Sequence, residues 1–280
     1  MSFIPGEDLP ALLPGEELPP LLLVGVGKMG GAMLAGWREQ GLNGSWAVDP
    51  TVTPESALEV SFVADPSALP KDFRPAAIVF AVKPQMAAET LPAYAPLARH
   101  AVVLSVMAGL TTARLAELLG GARKIVRAMP NTPAAIRQGI TVACASPGLD
   151  ADDRALCHTL LAAVGEVAWV EDEALIDPVT AVSGGGPAYV FLLAELLEKA
   201  AVAQGIPPNL ARALARRTVS GAGALLEAST EDAAALRQAV TSPKGTTEQA
   251  LAVLMAPDAW PALMARAIAT ATARSRELSR

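Results

Sequence analysis

Short, largely apolar runs recur along the first part of the chain, separated by segments rich in Ala and Leu. An apolar run without polar alternation is typical of a strand buried on both faces, as in a parallel sheet. Most of these runs are followed within two residues by Gly, Pro or Asp, which favour turns. The predicted strands cover residues 21–24, 46–48, 60–63, 76–82, 101–107, 124–129, 140–144 and 166–170.

The segments between these strands have helical character. An amphipathic run over 32–40 stops at Gly41, a second over 112–119 follows the N-cap candidate Thr111, and a third covers 152–164. Alternation of buried strands with helices predicts an α/β fold with a doubly wound, mostly parallel sheet. In such sheets, ligands bind at the carboxyl ends of the strands.

The strands cease after Glu171, and helical periodicity with turn signals continues to Arg280. One long helix is predicted to open at 183–187 and to close at Gly205, and another covers 208–228. The face formed by 220–224 (SGAGA) is almost bare of side chains, which favours a second helix packed very close. So small an all-α domain leaves apolar faces uncovered, so we expect a homodimer or a higher homo-oligomer formed through it.

These patterns divide the chain into three regions. Residues 1–20 are rich in Pro, Gly and acidic residues without periodicity, which predicts a flexible, solvated extension. Residues 21–173 form the predicted sheet domain, and residues 174–280 form the predicted helical domain.

The first candidate site follows the first strand. Gly25, Gly27 and Gly30 fit the pattern G-x-G-x-x-G between a strand and a helix, which suits a dinucleotide pyrophosphate. The amides at the helix start, which include those of Lys28 and Met29, lie at the positive end of the helix dipole. Asp49 ends the second strand, where a carboxylate accepts from ribose hydroxyls and repels a 2′-phosphate, so the pattern favours NADH.

Three further loops end predicted strands of the same sheet. They contain Val82, Lys83 and Pro84; Ala108 and Gly109; and the PNTP segment with Asn131. Each loop alone is an ordinary turn. Together they are predicted to line one cofactor crevice with the glycine-rich turn, because the carboxyl ends of parallel strands share an edge.

The second chemical element is the segment 240–249 (VTSPKGTTEQ) in the helical region. Thr246 with Gln249 fits a capping box, so we expect a helix to begin at Thr246 with its first amides directed at a carboxylate. If Thr246 is the cap, the hydroxyl of Thr247 is left for a ligand atom beyond that carboxylate.

Composition excludes several classes of partner. The chain has 280 residues, 52% of them hydrophobic, and a net charge of −6, which disfavours nucleic acid and anionic membranes as partners. Two cysteines, Cys144 and Cys157, are too few for a disulfide framework, so we expect both to be reduced core residues. The sequence shows no signal peptide, and no unbroken apolar run has the length of a membrane span. These features favour a soluble, cytoplasmic protein. His100 and His158 stand outside any metal-ligand spacing, so no metal site is expected.

Four stretches are specific in this order: 81–85 (AVKPQ), 127–134 (RAMPNTPA), 182–189 (VSGGGPAY) and 241–247 (TSPKGTT). Over 21–280 the chain resembles the pyrroline-5-carboxylate reductases, which transfer hydride from NAD(P)H to the imine carbon of 1-pyrroline-5-carboxylate and form L-proline. The resemblance implies an N-terminal Rossmann domain, a C-terminal helical domain that interlocks with a second subunit, and an active site shared between them.

The resemblance also implies roles for single residues. In the family, the loop matching 242–247 cradles the substrate carboxylate, and the threonine matching Thr247, our catalytic candidate, faces the ring nitrogen. The substrate-binding candidates are Ser242, Lys244, Gly245, Thr246 and Thr247. The residues that match dinucleotide contacts of the family are Val82, Lys83, Pro84, Ala108 and Gly109.

Two positions depart from the family pattern. Lys28 replaces the usual asparagine after the second glycine, and Lys244 stands where the family has a glycine, so a side chain occupies a position whose backbone angle favours glycine. Two alternatives therefore stay open. One is a related NAD(P)-dependent imine or hydroxy-acid oxidoreductase, and the other is a dinucleotide-binding protein with weakened catalysis.

Overall fold

A computed structural model describes residues 4–5, 17–51 and 60–279 of the chain. The chain forms two compact units, a sheet unit of Met1–Gly184 with Ala271–Arg280 and a helical unit of Gly185–Thr270. The division therefore lies later than the expected boundary after Glu173. The reason is that Ile176, at 1% exposure, packs against Val142 and Cys144 of the sheet.

Within the described ranges, the sheet unit contains nine strands in the order β1-β9-β8-β7-β6-β5-β2-β3-β4. The strands are β1 Ile4–Pro5, β2 Leu21–Val24, β3 Ser45–Val48, β4 Val60–Val63, β5 Ala77–Phe80, β6 Val102–Ser105, β7 Ile125–Met129, β8 Gly139–Ala145 and β9 Gly165–Val170. All neighbours are parallel except the pairs β1–β9 and β7–β8. The prediction of a doubly wound, mostly parallel sheet is confirmed.

Strand β2 shows why the apolar runs are continuous. Leu21 and Leu23 belong to a buried cluster that contains Trp37. Leu22 belongs to another cluster that contains Tyr94. Because successive strand residues point to opposite faces, the sheet buries both faces and leaves no position for a polar residue along this strand.

Among the described residues, six α-helices of the sheet unit flank this sheet. They are α1 Lys28–Glu39, α2 Ala87–Thr90, α3 Ala95–Ala98, α4 Thr112–Leu118, α5 Ala151–Ala162 and α6 Ile176–Val179. Thr111 caps α4, because its side chain accepts from the amide of Arg114, as predicted. Sequence patterns did not resolve α2 and α3, which are single turns interrupted by the 3-10 segment Leu91–Tyr94 with its proline.

The N-terminal segment is not solvated throughout. Ile4–Pro5 pairs antiparallel with β9. Leu18 is 2% exposed, lies in the core and forms a bridge with Leu42. The expectation of a solvated extension over residues 1–20 is therefore wrong at these positions, while residues 1–3 and 6–16 lie outside the described part of the chain.

The helical unit contains α7 Gly186–Ala203, α8 Pro208–Ala228, α9 Ala233–Ala239 and α10 Thr246–Leu254, and α11 Trp260–Leu278 begins in it. As predicted, α7 ends before Gly205, which has φ +85°. A Cβ atom placed on Gly221 or Gly223 would have no atom within 4 Å. The helix expected against this face is therefore not supplied by the described part of the same chain.

One helical segment, Glu173–Ala203, is long and apolar enough to cross a membrane by length and composition alone, yet only 6% of its most apolar window is buried. The same properties are expected of a helix that another subunit covers. Polar residues interrupt this segment, so it contains no unbroken apolar run of that length, in agreement with the sequence analysis.

Candidate active site

All the cofactor candidates lie in the sheet unit. Gly25 has φ +93°, and a Cβ atom on it would lie 2.9 Å from the carbonyl carbon of Ala81 and from the amide nitrogen of Val82. A Cβ atom on Gly30 would lie 2.0 Å from the carbonyl oxygen of Gly25. Both positions therefore require glycine for the turn itself and for the approach of α1 to the sheet.

Gly27 differs from its two neighbours. A Cβ atom placed there would have no atom within 4 Å, so the protein itself does not require glycine. Gly27 is the N-cap of α1 without a side-chain cap, and within the described residues no acceptor is recorded for the amides of Lys28, Met29 and Gly30. Open space in front of unpaired amides at a helix N-terminus fits the pyrophosphate of a dinucleotide.

Asp49 ends β3 beside this turn. Its carboxylate accepts from the Val26 amide at 2.7 Å, from the Thr51 amide at 2.8 Å and from the Thr51 hydroxyl at 2.7 Å. Burial alone would raise the pKa of Asp49, but the hydrogen bonds from Thr51 and Val26 hold it below its ordinary value. The site therefore carries a fixed negative charge next to the glycine-rich turn.

The loops after β5 and β6 lie on the same edge as this turn, because β2, β5 and β6 are parallel neighbours. Val82 touches the turn at Gly25, and Pro84 begins a 3-10 turn for which the exposed Lys83 is the N-cap. Beyond β6, Ala108 is exposed and Gly109 has φ +76°. The structure thus brings these predicted loops and the glycine-rich turn to one edge of the sheet.

Asn131 follows β7, the next parallel strand. Its amide oxygen accepts from the backbone amide of Ile140 at 3.0 Å, so this oxygen holds the start of β8. For the amide nitrogen of Asn131, no acceptor is recorded among the described residues. That nitrogen is available to donate to a ligand, which is consistent with the predicted place of Asn131 in the cofactor site.

The substrate candidates lie in the helical unit. Gly245 donates its amide to the carbonyl of Ser242 at 3.0 Å, with Pro243 and Lys244 as the central residues of the turn. Lys244 has φ +60°, a conformation that a type II turn needs at this position and that favours glycine. A Cβ atom on Gly245 would lie 2.4 Å from the Ser242 hydroxyl, so Gly245 has no room for a side chain.

The capping-box prediction for α10 is wrong by one residue. The N-cap is Gly245, without a side-chain cap, and Thr246 is the first helical residue. Glu248 accepts instead from the amide of Lys244 at 2.7 Å. The turn at Lys244 places Gly245 where the helix starts, so Thr246 has no capping duty.

The amides of Thr246 and Thr247 begin α10, and no acceptor is recorded for them among the described residues. The Thr247 hydroxyl, on a half-buried residue, also has no recorded partner in that part of the chain. A helix start with free amides and one free hydroxyl fits a carboxylate with a second polar atom close by.

Sequence patterns missed one charged residue. Arg127 lies inside β7 with its side chain 3% exposed, and its guanidinium pairs with Glu173 at 3.0 Å and with Asp177 at 3.8 Å. The available signal was a cation in the middle of a predicted buried strand. Since buried charges are normally paired, such a cation indicates acidic partners elsewhere in the chain.

His158 and the two cysteines have structural roles. His158 accepts at Nδ1 from the indole of Trp169 at 3.3 Å, and burial lowers its pKa. Cys144 and Cys157 are free and buried, as expected of core residues. Burial raises the pKa of Cys144 to about 11, so it remains a thiol at neutral pH.

Comparison with known proteins identifies the family. The family model described as pyrroline-5-carboxylate reductase dimerisation matches residues 173–278. Pyrroline-5-carboxylate reductase of Pseudomonas aeruginosa is 36% identical over 264 residues, which span 92% of this chain and 96% of that protein. The chain belongs to the pyrroline-5-carboxylate reductase family.

Solved structures of the family share the fold. A pyrroline-5-carboxylate reductase from Coxiella burnetii has a TM-score of 0.85 and 33% identity, and the match covers 94% of this chain and 99% of that one. The Plasmodium falciparum pyrroline carboxylate reductase with NADP bound has a TM-score of 0.81 and 26% identity, covering 95% and 100% of the two chains. The similarity therefore extends over both units.

The family match also bears on the exposed apolar residues of the helical unit. Phe191 is 68% exposed, Leu225 56% and Val253 70%, and all three lie within the region that matches the dimerisation model. An interface between subunits accounts for apolar exposure of this kind. Homo-oligomerisation through the helical region is therefore supported by both the family match and the surface.

Proposed function

We propose that this chain reduces 1-pyrroline-5-carboxylate to L-proline with NAD(P)H. The observation that carries the proposal is the start of α10, where two unpaired amides and the free Thr247 hydroxyl follow the 242–245 turn. Membership of the family supports this substrate, because the Pseudomonas aeruginosa relative is named as a reductase of pyrroline-5-carboxylate.

In this proposal the cofactor is held by backbone and one carboxylate. The amides of Lys28, Met29 and Gly30 bind the pyrophosphate, and Gly27 leaves space for it. Asp49 accepts from the ribose. Val82, Lys83, Pro84, Ala108, Gly109 and Asn131 complete the cofactor site. The bound cofactor supplies the hydride.

The substrate side requires orientation and a hydrogen bond to nitrogen. The amides that begin α10, with Ser242, Lys244 and Gly245 beside them, bind the carboxylate. When C5 of the N-protonated imine gains hydride, the electron pair of the C=N π bond becomes the lone pair of the neutral amine nitrogen, which can then accept a hydrogen bond as well as donate one. A neutral hydroxyl donates or accepts without a change of charge, so Thr247 follows this change throughout the reaction.

The two departures from the family pattern are compatible with this function. Lys28 and Lys244 are exposed, and no partner is recorded for either ammonium group among the described residues. Each therefore adds a cation beside a proposed anion site. The turn at Lys244 also keeps its hydrogen bond between Gly245 and Ser242 despite the missing glycine, which argues against the reading of weakened catalysis.

The assembly that we propose is a homodimer, or a higher homo-oligomer, formed through the helical unit in the cytoplasm. A net charge of −6 keeps nucleic acid and anionic membranes out of the proposed partners.

The test is a coupled measurement with the purified protein and synthetic pyrroline-5-carboxylate. Oxidation of NADH and NADPH is followed by absorbance, and L-proline is quantified in the same samples. We expect one proline for each cofactor oxidised. Cofactor binding without turnover would support the sensing alternative, and turnover only with other imines or with hydroxy acids would support the related-oxidoreductase alternative.

A further inference from the structure

A buried cation in the sheet unit connects two segments that meet at one loop. Arg127 is 2% exposed and lies between the carboxylates of Glu173 and Asp177. Each carboxylate also accepts hydrogen bonds from a second element: Glu173 from α4 and Asp177 from α11.

The Glu173 arm reaches the start of α4. Its carboxylate accepts from the Thr112 amide at 2.8 Å and from the Thr112 hydroxyl at 2.7 Å. Thr112 is the first residue of α4 and directly follows the loop 106–111, which contains Ala108 and Gly109. Glu173 therefore fixes the end of a loop assigned above to the cofactor.

The Asp177 arm reaches the end of α11. Its carboxylate accepts from the Ser275 hydroxyl at 2.7 Å and from the Ser279 hydroxyl at 3.3 Å. Between them, Leu278 lies over the same loop, since a Cβ atom on Gly109 would be 3.2 Å from its carbonyl oxygen and 3.3 Å from its Cβ. Arg127 is thus connected to the loop around Gly109 in two ways. Glu173 binds Thr112 at the end of the loop, and Asp177 binds the segment of α11 that lies over Gly109.

We propose that Arg127, Glu173 and Asp177 are positioning residues that hold the 106–111 loop, through Thr112 and through the last turns of α11, in the conformation that binds the dinucleotide. The inference rests on the proposed function of that loop. Well-packed apolar residues would give similar stability without a buried charge, so stability alone does not explain the network. Its hydrogen bonds do explain a loop that is fixed at its end by Glu173 and covered at Gly109 by Leu278.

The test compares Thr112→Val with Thr112→Ser. Valine keeps the branched shape and the backbone amide that Glu173 binds, and removes only the hydroxyl, which serine restores. We expect Thr112→Val to raise the Kd for NADH and NADPH, measured by fluorescence titration, by about fivefold to tenfold. The KM for pyrroline-5-carboxylate should stay unchanged, and Thr112→Ser should bind cofactor like wild type.

Thr111→Val is the matched control. It removes the neighbouring hydroxyl and the cap of α4, so it lowers Tm without touching Glu173. If the loop responds to stability in general, Thr111→Val should weaken cofactor binding at least as much as Thr112→Val. That result would overturn the proposal.

A double-mutant cycle with Ser275→Ala tests whether both arms act on one loop. We expect Ser275→Ala to weaken cofactor binding about fivefold, and the double variant Thr112→Val with Ser275→Ala to bind little more weakly than either single variant. Fully multiplicative effects, or unchanged Kd values in both single variants, would overturn the proposal. Because binding is read without turnover, a protein that binds cofactor but does not reduce the imine would contradict the proposed function and leave this test intact.

Discussion

The two units of this chain bury their apolar residues differently. In the sheet unit, strands and helices enclose two large clusters, and side chains such as Trp37 and Phe80 have 0% exposure. In the described helical unit, the buried hydrophobic residues are only Ala211 and Ala215, while large side chains such as Phe191 are exposed. The sheet unit is thus complete within one chain, whereas the helical unit needs a second subunit.

This difference determines what each unit responds to. The stability of the sheet unit depends on contacts within the chain and should be independent of concentration. Stability of the helical unit is linked by mass action to protomer concentration. The following substitutions test this contrast and the sites that depend on it, beginning with the largest expected effect.

Phe191→Glu should dissociate the oligomer. Burying a phenylalanine contributes about 1.5–3 kcal/mol, and a two-fold interface counts each substitution twice, so the dimer Kd should rise at least about 100-fold. Sedimentation velocity measures it. Ile136→Glu is the matched control, because Ile136 has the same 68% exposure but lies in the sheet unit. Equal effects of both substitutions would contradict the contrast between the units.

Gly30→Val should abolish cofactor binding while the oligomer persists. The added side chain meets the carbonyl oxygen of Gly25 and forces α1 from the sheet. Such overpacking costs about 1–3 kcal/mol, and a displaced turn loses its aligned amides, so we expect cofactor Kd to rise about 100-fold or more.

Gly27→Ala is the complementary variant. Its methyl group meets no protein atom, so Tm should not change, yet cofactor affinity should fall because the group enters the proposed pyrophosphate position. Wild-type cofactor affinity in both variants would show that the turn is not the pyrophosphate site.

Thr247→Val tests the proposed hydrogen bond to the ring nitrogen. Valine keeps the shape and removes the hydroxyl, so kcat and kcat/KM should both fall about tenfold to 100-fold, for a bond worth roughly 1.5–3 kcal/mol. Steady-state kinetics with saturating cofactor measure both. Thr246→Val should have little effect, because Thr246 is exposed and does not cap the helix. Wild-type turnover by Thr247→Val at saturating substrate would leave the loop with carboxylate binding alone.

Much of the sheet unit was predictable because local signals and burial agree there. The continuous run at 21–24 and the turn at Gly25 each have one physical solution, a buried strand and a close backbone approach, and both are present. The single-turn helices α2 and α3 were not predictable, because such short segments carry no helical period. The bridge of Leu18 with Leu42 joins residues distant in sequence, which local patterns do not report.

The start of α10 shows a different limit. Thr246 and Gln249 match a capping box, but the cap is decided by the backbone of the preceding turn, where Lys244 has φ +60°. A left-handed lysine has no sequence signal of its own. Only the resemblance to a family with glycine at this position indicates that the φ angle of Lys244 is positive.

Asp49→Asn should shift the cofactor preference. The fixed charge of Asp49 repels a 2′-phosphate by about 1 kcal/mol at 4 Å in water, so its removal should raise the ratio of kcat/KM for NADPH to that for NADH about fivefold. Thr51→Val is the control, because it removes one hydrogen bond to Asp49 without removing the charge. A wild-type preference for NADPH would show that other groups outweigh Asp49.

Lys244→Gly should have the smallest effect, and it separates the backbone of the substrate loop from its charge. A left-handed conformation costs a residue with a Cβ atom roughly 1–2 kcal/mol. Glycine avoids that cost but gains freedom in the unfolded chain worth about 0.5–1 kcal/mol. The net expectation is a stabilisation of up to about 1.5 kcal/mol, measured by urea unfolding at one fixed protomer concentration, since the helical unit depends on assembly.

Lys244→Ala removes the same ammonium group and keeps the Cβ atom, so it should leave stability nearly unchanged. Both variants should raise the KM for pyrroline-5-carboxylate about threefold, because an exposed cation beside a carboxylate contributes about 0.2–1 kcal/mol. A KM that rises only in Lys244→Gly would mean that the limit which a Cβ atom sets on the freedom of the turn matters more than the charge of the lysine. An unchanged KM in both variants would remove Lys244 from the substrate site and leave the carboxylate to the amides of α10.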